Sequence, residues 1–468
     1  MLKHRTTARG AAPARPAPTP PTPPMPTPPT NAAQAPPPPP TPRFAPALAA
    51  AAAAALLASS PLRDPQPAHA LLSSPNARIP RTAEAALRRS IPAFNPDVLA
   101  VQRKVENVAF LLRIPQRKPW GTMAADVDVA LAIVQQGSGG KGAGAGAAAA
   151  AAEGASSSAQ LNRALLDGVP QSDLARGEAA LAKLESKLGQ LRQAVAAQQP
   201  DWAGARCADA LAAAADLELL EAPGLAFQVP PQYSRDRPVL AGRAIVRLEV
   251  ERSDASLAFA DEDAGGGLST KGVIEVTLDG YSAPLTAGQL AANVQRGLYD
   301  GTRVAASFAS VLVGPSPGRA SAEAQALAGS APVPLEMLPQ GEFDPVYRLP
   351  LDVAGGELPV LPLSIEGAVG LAKLPDGDPA FVSATQFFVG KFEKSQAGLS
   401  GLAFDEGQLP VAGYVTKGYD SVLRKLATGD VIVKARIVSG EDRLRLPSAG
   451  EGSGGGGGVG GGAGPVAG

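Results

Sequence analysis

The spacing of hydrophobic positions changes about halfway along the chain. Val98, Val101, Val105, Val108 and Leu112 recur at steps of three and four, which places them on one face of a helix. That helix is predicted to stop at Ile114-Pro115, because proline has no amide with which to continue the ladder. A second helical pattern covers Met123–Gln136, and a third carries Leu181, Leu184, Leu188, Leu191 and Val195 between Lys and Glu residues. This stripe is either one face of an intramolecular bundle or a leucine-zipper seam between two copies. It covers about two heptads, short of the three to four that a coiled coil needs, which favours the bundle. A last apolar helix is predicted over Cys207–Leu220.

From Arg243 the period becomes two. Ala244–Val250 and Gly272–Leu278 read as strands with a turn at Gly265–Gly267 between them. Further strands are predicted at Ser310–Val313, Gly367–Leu371, Gln386–Val389, Val411–Val415 and Val431–Ile437. Many short strands with few helices point to a closed β-barrel. The expected order is therefore a helical domain over 71–222, a connector over 223–242 marked by Pro223, Pro230, Pro231 and Pro238, and a barrel domain over 243–448. The Gly/Ala/Ser tract 137–159 reads as a flexible insertion, and the Gly-rich stretch 449–468 as a tail that cannot bury a core.

Residues 1–70 do not read as structure. Positions 1–63 hold no Asp or Glu, scattered basic residues and a proline tract, the composition of an organelle transit segment. An uncharged run, Phe44–Ala58, follows and is shorter than the roughly 20 residues of a membrane span. Ala68-His69-Ala70 then fits a signal-peptidase site. Two signals in series point to import into the thylakoid lumen of a chloroplast, the alternative being a secretory signal with an extension, and in either case no span is left in the mature protein.

Cleavage after Ala70 leaves 36 Lys and Arg against 42 Asp and Glu, a net charge of −6, which argues against a nucleic-acid partner. Both histidines, His4 and His69, leave with the leader. The mature chain then has one cysteine, Cys207, and no histidine, which excludes Ser-His-Asp and Cys-His nucleophile schemes, His/Cys metal sites and an intramolecular disulfide. No cofactor or metal is expected. Cys207, in an Ala-rich apolar run, is expected to be a buried, inert thiol.

Ala283-Pro284-Leu285-Thr286-Ala287-Gly288, Tyr299-Asp300-Gly301, Gly367–Ala372, Gln386-Phe387-Phe388, Phe404-Asp405-Glu406-Gly407 and Gly413-Tyr414-Val415 follow one another with a characteristic order and spacing. Together they resemble a cyclophilin-type peptidyl-prolyl cis-trans isomerase. Arg78–Thr82, Leu112–Pro119 and Asp216–Leu220 narrow the resemblance to the two-domain thylakoid-lumen cyclophilins of plants and green algae. The implied fold is an N-terminal helical bundle followed by a cyclophilin-like closed β-barrel. Thr286 is the expected N-cap of the first barrel helix.

The resemblance also implies a mechanism. Rotation about a peptide bond breaks amide resonance, a barrier of about 18–20 kcal/mol. In the family an apolar pocket holds the proline ring while an arginine donates to the imide nitrogen. By the family's spacing that arginine position is Ala306, and the following glutamine position is Val313. Arg303, three residues earlier, is the one candidate replacement. The groove is expected to keep Gln386, Phe388, Leu371 and Ala372, with Phe404 at the pocket tryptophan position, Leu409 at the pocket histidine position and Lys373 at the position usually held by asparagine. Three functions follow from this set. One is a folding or assembly factor that binds prolyl or apolar segments of lumenal proteins with weak or absent catalysis. The second is a working isomerase, and the third a regulatory scaffold that meets a partner protein through the helical domain.

Overall fold

The computed structural model describes residues 79–115, 117–136, 162–260, 267–315, 331–374, 377–393 and 402–447. The leader 1–70, the insertion 137–159, most of the Gly265–Gly267 turn and the tail 449–468 lie outside the described residues.

Among the described residues, five helices of seven residues or more precede the barrel: α1 (Ala83–Arg89), α2 (Pro96–Leu111), α3 (Trp120–Gln136), α4 (Leu174–Ala196) and α5 (Pro200–Glu221). Asn95 caps α2, its side chain accepting the amides of Asp97 and Val98. Proline stands at the start of both α2 and α5, where its missing amide has no helical partner to lose. Helices α2 to α5 close a four-membered ring in which α2 and α4 each pack on α3 and α5. Val98, Val101, Val105 and Val108 meet Leu181, Leu184, Leu188, Leu191 and Val195 in its interior. The leucine stripe is fully buried, so it is the inner face of this bundle. Cys207 is buried there too, its thiol reaching the Val105 carbonyl at 3.4 Å. Burial pushes the thiol up to about 12, and it stays protonated.

Helix α1 behaves differently. Thr82 accepts the amide of Ala85 and starts it, but Ala83, Ala86 and Leu87 pack on Leu361, Ile365, Ala368, Val411 and Tyr414 of the barrel. The segment expected to open the helical domain is thus part of the barrel's coat.

The barrel strands are β1 (Arg243–Glu251), β2 (Lys271–Asp279), β3 (Ser310–Val313), β4 (Ala368–Lys373), β5 (Phe381–Gly390), β6 (Gly413–Lys417) and β7 (Val431–Ser439). All neighbours run antiparallel in the order β7-β1-β2-β6-β4-β5-β3. Closure falls to one short piece of chain. Thr302–Arg303 pairs with β7 at one end of the sheet, and Ala305–Ala306 pairs with β3 at the other. Strict alternation along β1 buries Ala244, Val246, Leu248 and Val250 in a continuous core with Ile274, Val276 and Leu278 of β2.

Helix α6 (Pro284–Gln295) packs on β5, β1 and β2. Its cap is not the expected one. Thr286 lies inside the first turn, and the fully buried Glu336 accepts the amides of Leu285 and Thr286 at 3.0 and 2.9 Å and the Thr286 hydroxyl at 3.0 Å. A carboxylate borrowed from a distant strand serves the orphan amides better than a hydroxyl within the turn. Burial pushes the Glu336 carboxyl up to about 7 against the pull of those donors. No described helix is long and apolar enough to cross a membrane.

Candidate functional site

A fault in the pairing of β4 with β5 shapes the outer face of the barrel. Leu371 stands opposite Phe387, yet the next pair is Lys373 with Val382, so Ser383–Gln386 bulges away from β4. Ser383 Oγ accepts the amides of Thr385 and Gln386 at 3.2 and 3.0 Å. From α6, Gln289 Nε2 and Asn293 Nδ2 donate to the Ala384 carbonyl at 3.0 and 2.8 Å. Asn293 also donates to the hydroxyl of buried Tyr299, whose ring meets Phe387 edge-on with centroids 4.8 Å apart. The bulge is held from inside the barrel, and Gln386-Phe387-Phe388 leaves it in a fixed register.

Alternation then sorts the two phenylalanines. Phe387 faces inward between Leu371 and Val313, and all three are buried in the core. Phe388 lies on the opposite face, between Gly370 on β4 and Leu312 on β3. Phe388 is 8 % exposed and Leu312 36 %. Gly370 is required here: an added Cβ would overlap the Pro410 carbonyl and come within 3.1 Å of the Phe388 ring. At the end of β3, Gly314 has φ +147°, and a Cβ there would sit 2.8 Å from Gln386 Cγ.

The residues expected in the groove divide accordingly. Gln386 is half-buried beside Gly314, Phe388 lies against Gly370, and Ala372 follows Gly370 on the same strand at the bulge. Leu371 and Val313 are not with them; both side chains point into the barrel, one residue out of phase with the outer row. Leu409 is half-buried in the loop before β6, and Phe404 is 86 % exposed. The neighbour of Phe404, Asp405, pairs with Lys373 at 3.4 Å with both side chains more than half exposed, a contact worth little in water.

The donor side of the site is built by the closing turn. Ala306 is half-buried and packs against the barrel core. Its amide donates to Thr428 Oγ1 at 3.0 Å, and the same hydroxyl donates to the Ala306 carbonyl at 3.0 Å. Arg303 is exposed, and its Nη1 donates to the Gly429 carbonyl at 3.1 Å. Asp430, 1 % exposed, holds the neighbouring 427–430 turn by accepting the amides of Ser253 and Ala427 and Nη1 of Arg252, each at 2.9 Å, and its carbonyl accepts the Val304 amide of the closing turn at 2.9 Å. Burial raises the Asp430 carboxyl, but those amides and the Arg252 guanidinium outweigh it and hold it below the usual range. Among the described residues, no cluster of three or more His, Cys, Asp or Glu could hold a metal ion.

Sequence reasoning missed Leu312, Gly370, Thr428 and Asp430. Leu312 had a signal, since it alternates with Val311 and Val313, and only one phase of that run can face a core. Thr428 and Asp430 act across more than a hundred residues on 253 and 306, and no local pattern marks them.

Known proteins repeat this two-part plan. The family described as the PsbQ-like domain of CYP38-like peptidyl-prolyl cis-trans isomerases matches residues 82–143. The chain is 39 % identical over 381 residues to the chloroplastic peptidyl-prolyl cis-trans isomerase CYP37 of Arabidopsis thaliana, covering 81 % of this chain and 74 % of that protein. It is 30 % identical over 366 residues to a protein of Synechocystis sp. named as a thylakoid-lumen peptidyl-prolyl cis-trans isomerase, with 77 % and 83 % covered. The chloroplastic CYP38 of Arabidopsis thaliana is 27 % identical over 385 residues, with 81 % and 78 % covered. These matches span helices and barrel alike, and they place the chain: it belongs to the cyclophilin-type peptidyl-prolyl cis-trans isomerase family of the chloroplast thylakoid lumen.

Proposed function

We propose that this protein is a folding or assembly factor that binds prolyl or apolar segments of lumenal proteins and has weak or no isomerase activity. The observation that carries this reading is position 306. Prolyl rotation is accelerated by a donor placed at the imide nitrogen as it pyramidalises, and Ala306 has no side-chain donor. Its backbone amide is already bonded to Thr428. Arg303, three residues earlier, has its guanidinium on the Gly429 carbonyl instead. Loss of one preorganised donor costs about 10²–10³ in rate. Binding has better support, because Phe388, Leu312 and Ala372 keep an apolar outer face beside Gln386. Covering such a face is worth about 25 cal/mol per Å².

The reading predicts that binding and catalysis come apart. Exchange spectroscopy on a short X–Pro peptide measures both in one sample. The unmodified protein should bind the peptide weakly and leave its cis/trans exchange nearly uncatalysed. Arginine should then be restored at 306, the position given by the family's spacing, and separately at 305, which stands opposite the outward-facing Leu312. At least one of Ala306→Arg and Ala305→Arg should raise the rate about tenfold or more with little change in affinity, because the restored bond belongs to the transition state. Robust acceleration by the unmodified protein, abolished by Arg303→Ala, would overturn the reading and make this a working isomerase with Arg303 as its donor.

A further inference from the structure

The end of α5 carries two carboxyl groups that the groove does not use. Glu218 and Glu221 are one helical turn apart, 1 % and 6 % exposed, and none of their four oxygens has a hydrogen-bond partner. Burying an unpartnered carboxylate is costly, whereas its neutral form is tolerated. They stand where the bundle meets the barrel. Ala215, Leu219 and Ala222 of α5 and the residue after it pack with Ile91 and Ala93 from the α1–α2 link and with Tyr281 from the barrel.

The charges facing this pair come from every neighbouring element. Arg88 of α1 pairs with Glu106 of α2 at 3.3 Å, and Arg89 reaches the same carboxylate at 3.0 Å. Arg243 of β1 pairs with Asp279 at 2.9 Å, donates to Ser90 Oγ at 3.0 Å and to the Leu87 carbonyl, and lies over the Tyr281 ring. Asp167, next to the glycine that packs on Glu221, adds a further acid. Three arginines therefore face five carboxyl groups, and Glu106 and Asp279 already hold the arginines. Burial raises Glu106, yet Arg89 and Arg88 outweigh it and keep it ionised. No arginine bonds to the α5 carboxyls: burial pushes Glu218 up to about 8 against the more distant pull of Arg88 and Arg243, and burial, with Glu218 and Asp167 adding to it, pushes Glu221 up to about 8.

We infer that Glu218 and Glu221 form a proton-operated clasp that keeps the helical bundle docked on the barrel while both are protonated and releases the seam as they ionise. The sign follows from linkage. Acids whose folded-state pKa is raised favour the docked form fully below about pH 4.5, and they lose that contribution as pH rises through about 8. The docking equilibrium then weakens by about tenfold per pH unit for each carboxyl that titrates. The weakening runs from about pH 4.5 to about 8, so the clasp is tighter in an acidic compartment than in a neutral one.

Hydrogen exchange of the full chain at pH 6, 7, 8 and 9 tests this, with Glu218→Gln/Glu221→Gln as the reference that removes the intrinsic pH dependence of exchange. The seam amides to follow are those of Ile91 and Ala222, bonded to the Arg88 and Glu218 carbonyls at 3.2 and 3.0 Å. Between pH 7 and 9 their protection in the wild type should fall at least tenfold relative to the variant, while the α4 amides around Leu188 keep theirs. Equal pH profiles in wild type and variant would overturn the clasp. So would a parallel loss in α4, which would mean that the bundle unfolds rather than undocks.

Discussion

The two sides of the candidate groove are built under different constraints. On one side Phe388, Gly370 and Leu312 form a row across three strands, fixed by the α6 side chains that hold the bulge. On the other, the turn around Ala306 satisfies its own backbone through the Thr428 hydroxyl and the Asp430 carbonyl and presents no side-chain donor at 306. Shape is a property of the sheet and is retained wherever the sheet is. A catalytic donor is a single side chain, and one substitution removes it without disturbing a strand. A single substitution at such a position changes what the turn can donate and leaves the outer face of the sheet as it was.

The comparison breaks first at the frame of the donor side. Asp430→Ala leaves Arg252, 4 % exposed, without its buried partner, and should cost about 3–5 kcal/mol in chemical denaturation. A loss below about 1 kcal/mol would show that the closing turn is not held as described. Next comes the pair on β5. Phe387→Ala should cost about 4 kcal/mol by opening a cavity under Tyr299, with peptide affinity in the surviving fold little changed. Phe388→Ala should cost less stability and more peptide affinity, and calorimetry with a prolyl peptide separates the two. If both variants lose stability and affinity alike, the inner and outer roles are not distinct. Thr428→Val removes both bonds to the Ala306 backbone and should cost about 1–2 kcal/mol, read from the thermal midpoint. Smallest is Lys373→Ala, which breaks an exposed ion pair and should shift stability by less than about 0.5 kcal/mol. A larger effect would mean that the Phe404 loop is more firmly tied than its exposure suggests.

Much of this was legible in the residues. The four bundle helices follow from periodicity because each buries one continuous face, and the leucine stripe reads as bundle core because its length falls short of a coil. Most strands were found for the same reason. The candidate groove was harder to read: Gln386 and Phe388 are marked by a contiguous motif, whereas strand phase turns Leu371 and Val313 into the core. A motif gives positions in the chain and not the face of the sheet, and the one-residue alternation between Phe387 and Phe388 decides that. The Glu336 cap, the Thr428 bonds and the destination of α1 depend on contacts between distant segments, where sequence pattern has nothing local to register.

Helix α1 changes how the chain must assemble. Most of its partners, Leu361, Ile365, Ala368, Val411 and Tyr414, are made more than 250 residues later, while α1 itself comes before the whole bundle. In topological terms the bundle is a loop inserted into the barrel domain, and the barrel is complete only when both ends of the chain are present. A chain threaded through a membrane from its N-terminus delivers α1 first and leaves its apolar face waiting for a surface that does not yet exist. The bundle, with its local contacts, can fold in that interval, and the slow step falls to the long-range closure of α1 on the finished barrel. A fragment cut at the proline-rich connector would emerge with that surface bare, so the natural boundary of the barrel domain lies in two places along the chain.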